Sequence, residues 1–337
     1  MSIIRKAIYP DFTQLSYKDN NFYEYSPYII KSNQNVIDKE WWNSLTNYCK
    51  DLITIRLKGN FILDKVEVPH ETQLDSNNFL YTVYRSYIDS FDYQIWYPIK
   101  NSAENVKLIQ IKDNIKRILI KMYNSEEINC IEKIELDEFK EEIKRNIDSN
   151  DSNDSNKKYF IRLSGTSGKN EKNIKYFTSV EDILYHLTSV KLFIEQEYKR
   201  VKLTYLIMME WNESIDLKFE FRIFVYNKKI TGISQQSKKL FNFTQDEIDL
   251  IELSLNKFIE SKTVENLPYD TFILDTYIDI SGYINGTNEA FCKIIEINPF
   301  GAHCGAGSSL FQWDKDFDIL HGDSNQIELR FLSIINI

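Results

Sequence analysis

The chain has 337 residues, of which 42% are hydrophobic and 14% aromatic, enough apolar material to bury one large core or two medium ones. Its 41 basic and 50 acidic residues give a net charge of -9. This balance argues against a dedicated surface for duplex nucleic acid, since phosphate contacts need a clustered cationic face. We therefore do not expect nucleic acid as the main ligand, although a local basic groove is compatible with this charge.

Cysteine spacing and the lack of long apolar runs indicate the compartment. The four cysteines are far apart and form no CxxC pair, so neither a zinc knuckle nor a disulfide framework is indicated. The start, MSIIRKAIYPDF, lacks the apolar run of a secretory signal, and no stretch reaches the roughly 18 apolar residues of a membrane helix. We expect a cytoplasmic protein that makes no membrane contact.

The first half of the chain contains few motifs that can be tied to chemistry. Residues 1–90 look folded but carry none, and we treat them as an N-terminal extension of unknown role. The segment FDYQIWYPIKN (91–101) mixes aromatic and β-branched residues with a proline, which suits a strand end or edge. Apolar residues at helical spacing predict a surface helix over 134–147. The polar NIDSNDSNDSNKK (146–158) repeats Asp-Ser-Asn three times and predicts an exposed loop of low complexity.

Strands and helices alternate after this loop. The predicted elements are a short strand with a small-residue loop (157–170), an amphipathic helix (178–200), an apolar strand (204–211), a hairpin (218–236), a second amphipathic helix (244–261) and two further strands (271–300). Thr178 with Glu181, and Thr244 with Glu247, are spaced as capping boxes at the starts of the two helices. This order predicts an α+β fold with a mainly antiparallel sheet.

The last predicted strand carries two polar side chains that suit a metal. Glu296 and Asn298 are two residues apart, so they share one face of the strand. A hairpin would bring Asp275 of the preceding strand alongside as a third oxygen ligand. Magnesium takes one or two carboxylates together with phosphate oxygens, so this set suits a nucleotide complex. The spacing is equally compatible with a polar sheet face that binds nothing.

Cationic and nucleophilic side chains give weaker signals. Arg162 ends a strand before LSGTSGK, where small residues allow backbone N–H groups to approach an anion, and Lys169 closes that loop. The spacing is not that of a Walker P-loop. Arg222 shares a strand face with Glu220, and for an isolated arginine we favour pairing with a neighbouring carboxylate. His303 and Cys304 are adjacent and lack an orienting third group, which argues against a catalytic pair.

Several segments are similar to those of one known family. They are EFRIFVYNKKITGISQQ, FILDTYID, and IIEINPFG followed by SSLFQW, together with WYP at 96–98 and RLSGTSGK. By these segments the chain resembles the cell division cycle 123 protein family, a branch of the ATP-grasp fold. The resemblance covers about residues 91–335. It implies a domain over 91–337 made of two lobes, with a nucleotide cleft between them. The predicted fold class is therefore α+β and ATP-grasp-like, with mainly antiparallel sheets and flanking helices.

The resemblance implies ATP and Mg2+ as cofactors and assigns residues to them. Asp275, Glu296 and Asn298 would hold magnesium, and Arg162 would take the place of the family's phosphate-binding lysine. Arg222 would face the phosphates, and the segment 208–211 would read adenine. The full set of implied nucleotide-binding residues is Arg162, Gly165, Ser167, Gly168, Lys169, Met209, Glu210, Trp211, Arg222, Asp275, Glu296 and Asn298.

The same resemblance implies an assembly chaperone for translation initiation factor 2 that docks on the gamma subunit. The alternative is an ATP-dependent ligase, of the carboxylate-amine or RNA-ligase kind, acting on an unknown acceptor. A ligase needs convergent cationic groups for its substrate, and the glycine-rich loop 301–309 could provide such a pocket. A third interpretation, a degenerate domain kept for protein contacts, fits poorly with three retained oxygen ligands.

Overall fold

A computed structural model describes residues 4–9, 36–38, 62–64, 89–97, 106–148, 157–167, 176–198, 203–287, 290–301, 306–313, 316–323 and 326–332. The chain divides into two compact units. Unit 1 contains Met1–Phe91 and Ser214–Ile337, and unit 2 contains Asp92–Glu213. Within the described residues, no helix combines the length and the apolar character that a membrane crossing requires.

Strands and short helices alternate along most of the described chain. The strands are β1 Ile4–Tyr9, β2 Val36–Asp38, β3 Ile62–Asp64, β4 Val106–Ile111, β5 Tyr159–Leu163, β6 Thr204–Glu210, β7 Glu220–Tyr226, β8 Lys229–Gln235, β9 Phe272–Asp279, β10 Phe291–Pro299 and β11 Ile327–Leu332. The α-helices are α1 Tyr93–Trp96, α2 Asp113–Tyr123, α3 Cys130–Asp148, α4 Val180–Ser189, α5 Gln245–Glu260, α6 Ser281–Ile284 and α7 Phe317–Leu320. A π-helix spans Phe193–Tyr198, and 3-10 helices span Leu217–Phe219 and Thr263–Asn266.

Unit 1 is built on a six-stranded sheet with the order β1-β11-β8-β7-β9-β10. The pairs β7/β8, β7/β9 and β9/β10 are antiparallel, whereas β11 lies parallel to β1 and to β8. The predicted hairpin is confirmed, and Asn227 and Lys228 both take positive φ angles in its turn, as a two-residue turn between twisted strands requires. One sheet face is apolar, with Phe221, Ile223 and Leu274 fully buried.

Helix α5 buries Ile248, Ile251 and Leu255 and contacts β10. Its predicted start is confirmed: the side chain of Thr244 accepts the N–H of Glu247 (3.2 Å), and the Glu247 carboxylate accepts the N–H of Thr244 (2.8 Å). The helix therefore begins where its capping box places it.

Unit 2 is built on a three-stranded antiparallel sheet with the order β4-β6-β5. Its core joins buried residues of this sheet, including Ile109, Ile161 and Leu206, to those of helices α2, α3 and α4. The strands predicted at 157–170 and 204–211 and the helix predicted at 134–147 are confirmed. With the two larger sheets mainly antiparallel and flanked by helices, and a third, parallel pair formed by β2 and β3, the predicted α+β class is confirmed.

Two sequence predictions in unit 2 are wrong. The described part of the aromatic segment, residues 91–97, contains the helix α1 and not a strand, because Tyr93 and Trp96, three residues apart, are both fully buried on one helical face. The helix predicted over 178–200 ends at Ser189 and is followed by the π-helix. The Tyr198 hydroxyl donates to the Leu187 carbonyl (2.9 Å), which satisfies an acceptor left open at that helix end.

The predicted cap of the same helix is displaced by one residue. Ser179, and not Thr178, is the N-cap, and its side chain accepts the N–H of Asp182 (3.1 Å). The extension predicted over residues 1–90 stays a prediction; the strand β1 within it pairs in parallel with β11.

Candidate functional site

A row of polar side chains crosses the six-stranded sheet of unit 1. Consecutive members of the row lie directly opposite one another on β10, β9, β7, β8 and β11, in the order Glu296, Asp275, Arg222, Ser234 and Arg330. Residues directly opposite in a sheet project from the same face. The hairpin of β9 and β10 thus brings Asp275 beside Glu296, as the sequence predicts.

A β-bulge at Ile295 controls which side chains of β10 reach this face. Ile294 pairs with Thr276 and Glu296 pairs with Asp275, so Ile295 has no partner of its own in the ladder. Lys293, which precedes the bulge in the chain, forms an ion pair with Asp279 of β9 (2.7 Å). Because of the extra residue, Lys293 and Glu296 project from one face although they are three positions apart.

Arg222 and Asp275 form a buried two-pronged ion pair at the centre of the row. Arg222 Nε donates to Asp275 Oδ1 (2.7 Å) and Nη2 donates to Oδ2 (2.8 Å). The two residues are 5% and 7% exposed. The sequence interpretation that Arg222 pairs with a carboxylate therefore finds its partner on the neighbouring strand. Paired donors of this kind fix geometry as well as charge.

Polar neighbours complete the surroundings of Asp275. Asn298 Nδ2 donates to Asp275 Oδ2 (3.0 Å), and Gln236 Nε2 lies 3.5 Å from the same oxygen. Burial acts to lower the pKa of Arg222, but Asp275, with Glu296 and Glu220, outweighs burial and raises that pKa above its ordinary value. The Arg222 side chain therefore carries a full positive charge among three carboxylates.

The glycine-rich loop also contacts Arg222. Its Nη1 donates to the carbonyl oxygens of Ala306 and Gly307, the latter at 3.0 Å. Gly307 has a φ of 73°, and a Cβ there would stand 3.7 Å from Nη1, so the backbone angle and not space favours glycine. One guanidinium thus joins the sheet to this loop. His303 and Cys304 of the same loop lie outside the described residues.

The donor set of the row fits a hard divalent cation. Asp275 and Glu296 offer carboxylates and Asn298 an amide oxygen, and magnesium prefers such oxygen ligands when phosphates complete its shell. No group of three or more His, Cys, Asp or Glu side chains suited to a metal occurs in the described ranges. The candidate set has two carboxylates and would depend on ligand oxygens.

Arg162, the predicted phosphate contact, lies in unit 2 on β5. It is 3% exposed, its guanidinium carbon lies 5.0 Å from the centre of the Tyr93 ring, and its Nε donates to the Leu163 carbonyl (3.3 Å). A cation over an aromatic face is held in place by the ring quadrupole. Its assignment to phosphate stays a prediction.

The loop after β5 uses its first donors internally. The N–H of Gly165 (3.2 Å) and the hydroxyl of Thr166 (3.0 Å) both donate to Glu197 Oε1, and the N–H of Thr166 donates to the Leu163 carbonyl (3.3 Å). A phosphate at this loop would therefore use Ser167 or the residues after it. Gly168 and Lys169 lie outside the described residues.

Glu197 is a buried acid in this region that sequence reasoning missed. Burial, followed by the charge of Asp92, raises its pKa from 4.5 to about 7, although Thr166, Gly165 and Arg162 act to lower it. The residue lies within a segment that reads as an amphipathic helix, where one glutamate gives no signal of burial. Its partners are about thirty residues away along the chain.

The predicted adenine segment runs from the end of β6 into the following loop. Met209 pairs with Val106 of β4 and Phe160 of β5, and its sulfur accepts the Tyr93 hydroxyl (3.0 Å). The N–H of Trp211 donates to the Lys158 carbonyl (2.8 Å), and Glu210 forms an ion pair with Lys157 (3.1 Å). An adenine held here would use main-chain groups other than the Trp211 N–H.

Comparison with known families gives this geometry a context. Residues 177–336 match the family model described as D123. This segment of the chain is therefore similar to the D123 (Cdc123) family. The family match contains Arg222, Asp275, Glu296 and Asn298, whereas Arg162 and the loop after it precede the matched segment.

Curated relatives of this family align with part of the chain. A putative CDC123-like protein of Acanthamoeba polyphaga mimivirus is 32% identical over 148 residues, which are 42% of this chain and 45% of that protein. A protein of Candida albicans named translation initiation factor eIF2 assembly protein is 31% identical over 127 residues, 38% of this chain and 34% of that protein. The chain thus spans less than half of the length of these relatives.

A solved structure shows that the fold is shared. Cdc123 from Schizosaccharomyces pombe superposes with a TM-score of 0.53 at 19% identity, covering 74% of this chain and 98% of that chain. The fold is therefore that of Cdc123.

Proposed function

We propose that this chain binds magnesium-ATP and assists the assembly of translation initiation factor 2 in the cytoplasm by docking on its gamma subunit. The nucleotide part rests on one observation: Asp275, Glu296 and Asn298 share a polar sheet face inside the segment that matches the family. The assembly part is supported by the names of the Candida albicans relative and of others like it.

In this proposal the part of the row on β10, β9 and β7, which excludes Arg330 on β11, would hold the metal and the outer phosphates. Asp275, Glu296 and Asn298 would hold magnesium, which would neutralise phosphate charge when bound. Arg222 would donate to the phosphates through its planar fork. The same proposal assigns Arg162, Ser167, Gly168 and Lys169 to phosphates and Met209, Glu210 and Trp211 to adenine. Gly165 would contact phosphate only if its N–H released Glu197.

Calorimetric titration with magnesium-ATP tests the site. Asn298→Ala and Asp275→Asn should each weaken binding by tenfold or more, on the order of 1.4 kcal/mol, because each removes a metal oxygen or its charge. Asp316→Asn is the matched control, since Asp316 forms a similar pair with Arg330 (2.7 Å) in the same unit. If Asp275→Asn bound magnesium-ATP as tightly as the parent, the assignment of the metal site would be wrong.

Co-purification with the gamma subunit of initiation factor 2, with and without ATP, tests the partner. A complex whose stability changes with nucleotide supports the assembly role. The absence of a complex, together with release of AMP or ADP that depends on RNA or on an amino-acid acceptor, would replace it with the ligase alternative. The net charge of -9 favours a protein partner over RNA, and we expect little RNA binding at physiological salt.

A further inference from the structure

Arg222 is a positive charge set directly against the candidate metal ligands. Its Nε and Nη2 atoms donate to the two oxygens of the Asp275 carboxylate, at 2.7 and 2.8 Å. Glu296 and Glu220 act on the same guanidinium through their charges. The pair is nearly excluded from water, so these charges are screened weakly.

We infer that Arg222 is a resident cation, a positive charge built into the set of metal ligands. It suppresses binding of a divalent cation alone and makes metal binding and nucleotide binding depend on each other. This inference rests on the proposed function, since it concerns how the same site is loaded.

The reason is competition for Asp275. A divalent cation at Asp275 would stand close to a guanidinium that two hydrogen bonds hold in place, and like charges repel strongly where water is scarce. A triphosphate offers acceptors for the guanidinium at the moment when the metal takes the carboxylate. Bound nucleotide then lowers the electrostatic cost of binding the metal, and bound metal does the same for the nucleotide. By linkage, each ligand raises the affinity for the other by the same factor.

The glycine-rich loop takes part in the same exchange. Arg222 Nη1 donates to the carbonyls of Ala306 and Gly307, so a guanidinium that turns toward phosphate must loosen at least one of these contacts or carry the loop with it. Loading of the site is thereby coupled to the position of residues 306–307.

Arg330 provides a control with nearly the same structure. Its Nη1 and Nη2 donate to the two oxygens of Asp316 at 2.7 Å each, and Nη1 also donates to the Leu310 carbonyl (3.1 Å). Like Arg222 it is buried and charged, on the same sheet, but it forms its ion pairs with Asp316 and Glu328. Loss of either pair should cost similar stability.

The test measures Mn2+ binding to the full chain by electron paramagnetic resonance, first with the metal alone and then with ATP present. Arg222→Gln should bind Mn2+ alone about tenfold more tightly than the parent and bind Mn2+ with ATP about tenfold less tightly, each about 1.4 kcal/mol. Arg330→Gln should change neither. Arg222→Lys keeps the charge, so it should bind Mn2+ alone as weakly as the parent; it also serves if the glutamine variant does not fold.

The outcomes separate the two proposals. If the parent does not bind Mn2+ with ATP at all, the proposed function fails. If the parent binds the pair but Arg222→Gln shifts both affinities in the same direction, or leaves Mn2+ alone unchanged, the resident-cation inference is wrong and the nucleotide site stands. If only Arg222→Lys folds and it binds Mn2+ alone more tightly than the parent, the inference is wrong as well.

Discussion

Replacement of Glu197 by glutamine should remove a pH dependence of folding stability that one buried carboxyl creates. Glu197 is 1% exposed and accepts hydrogen bonds from Gly165 and Thr166, which a glutamine oxygen can also accept. Burial is the largest cause that raises its pKa, and the nearby Asp92 adds to it. The glutamine variant can therefore keep these two hydrogen bonds while it loses the titratable proton.

The sign and size of the effect follow from the two pKa values. The folded protein holds the proton up to about pH 7, whereas the unfolded chain releases it near 4.5. The stability that Glu197 contributes is thus complete below pH 4.5 and is lost as the pH rises to about 7. Each pKa unit corresponds to about 1.36 kcal/mol, so the difference between the two values gives a loss of about 3 kcal/mol.

Urea unfolding followed by circular dichroism, at intervals between about pH 4.5 and about pH 8, measures this loss. The difference in unfolding free energy between parent and Glu197→Gln should fall by about 3 kcal/mol across the range and stay constant above it. Glu181→Gln, an exposed glutamate of α4, is the matched control and should show no such trend. A difference between parent and Glu197→Gln that is independent of pH would refute the reasoning.

Two further predictions concern single side chains. Arg162→Ala should weaken ATP by about 1 to 3 kcal/mol while adenosine binds as before, because a cation there acts on phosphate; equal losses in calorimetry would mean that Arg162, buried against Tyr93, only supports the fold. Thr244→Ala should lower the free energy of unfolding by about 1 kcal/mol in urea titrations and Thr244→Ser should restore most of it, because the cap on Glu247 is the contact removed; an unchanged alanine variant would contradict this.

The spacing of apolar residues and the types of residue at turns and helix ends predicted much of the secondary structure of unit 1. Alternating apolar residues defined β7 and β8, the Asn227 and Lys228 turn joined them, and the capping box placed the start of α5. The Glu296 and Asn298 spacing, with one hairpin, was sufficient to bring Asp275 alongside. These features depend on residues close in sequence, or on a single strand pairing, and so a pattern can reveal them.

Contacts between distant segments could not be predicted in the same way. The carboxylate of Glu197 meets Gly165 and Thr166 only because the π-helix packs beside the loop after β5. Likewise, alternation shows that Arg222 lies on the polar face. It does not show that Asp275 accepts hydrogen bonds from Nε and Nη2 while the loop at 306–307 accepts from Nη1.

The bulge at Ile295 also bears on how the length of this strand can vary between relatives. With Ile295 removed, Lys293, Ile294, Glu296, Ile297 and Asn298 would alternate regularly and keep every partner on β9 that they have now. A one-residue gap at this position in an alignment is therefore compatible with an unchanged set of oxygen ligands. A deletion at Ile297 would instead turn Asn298 to the opposite face, so at this strand the position of a gap matters more than its size.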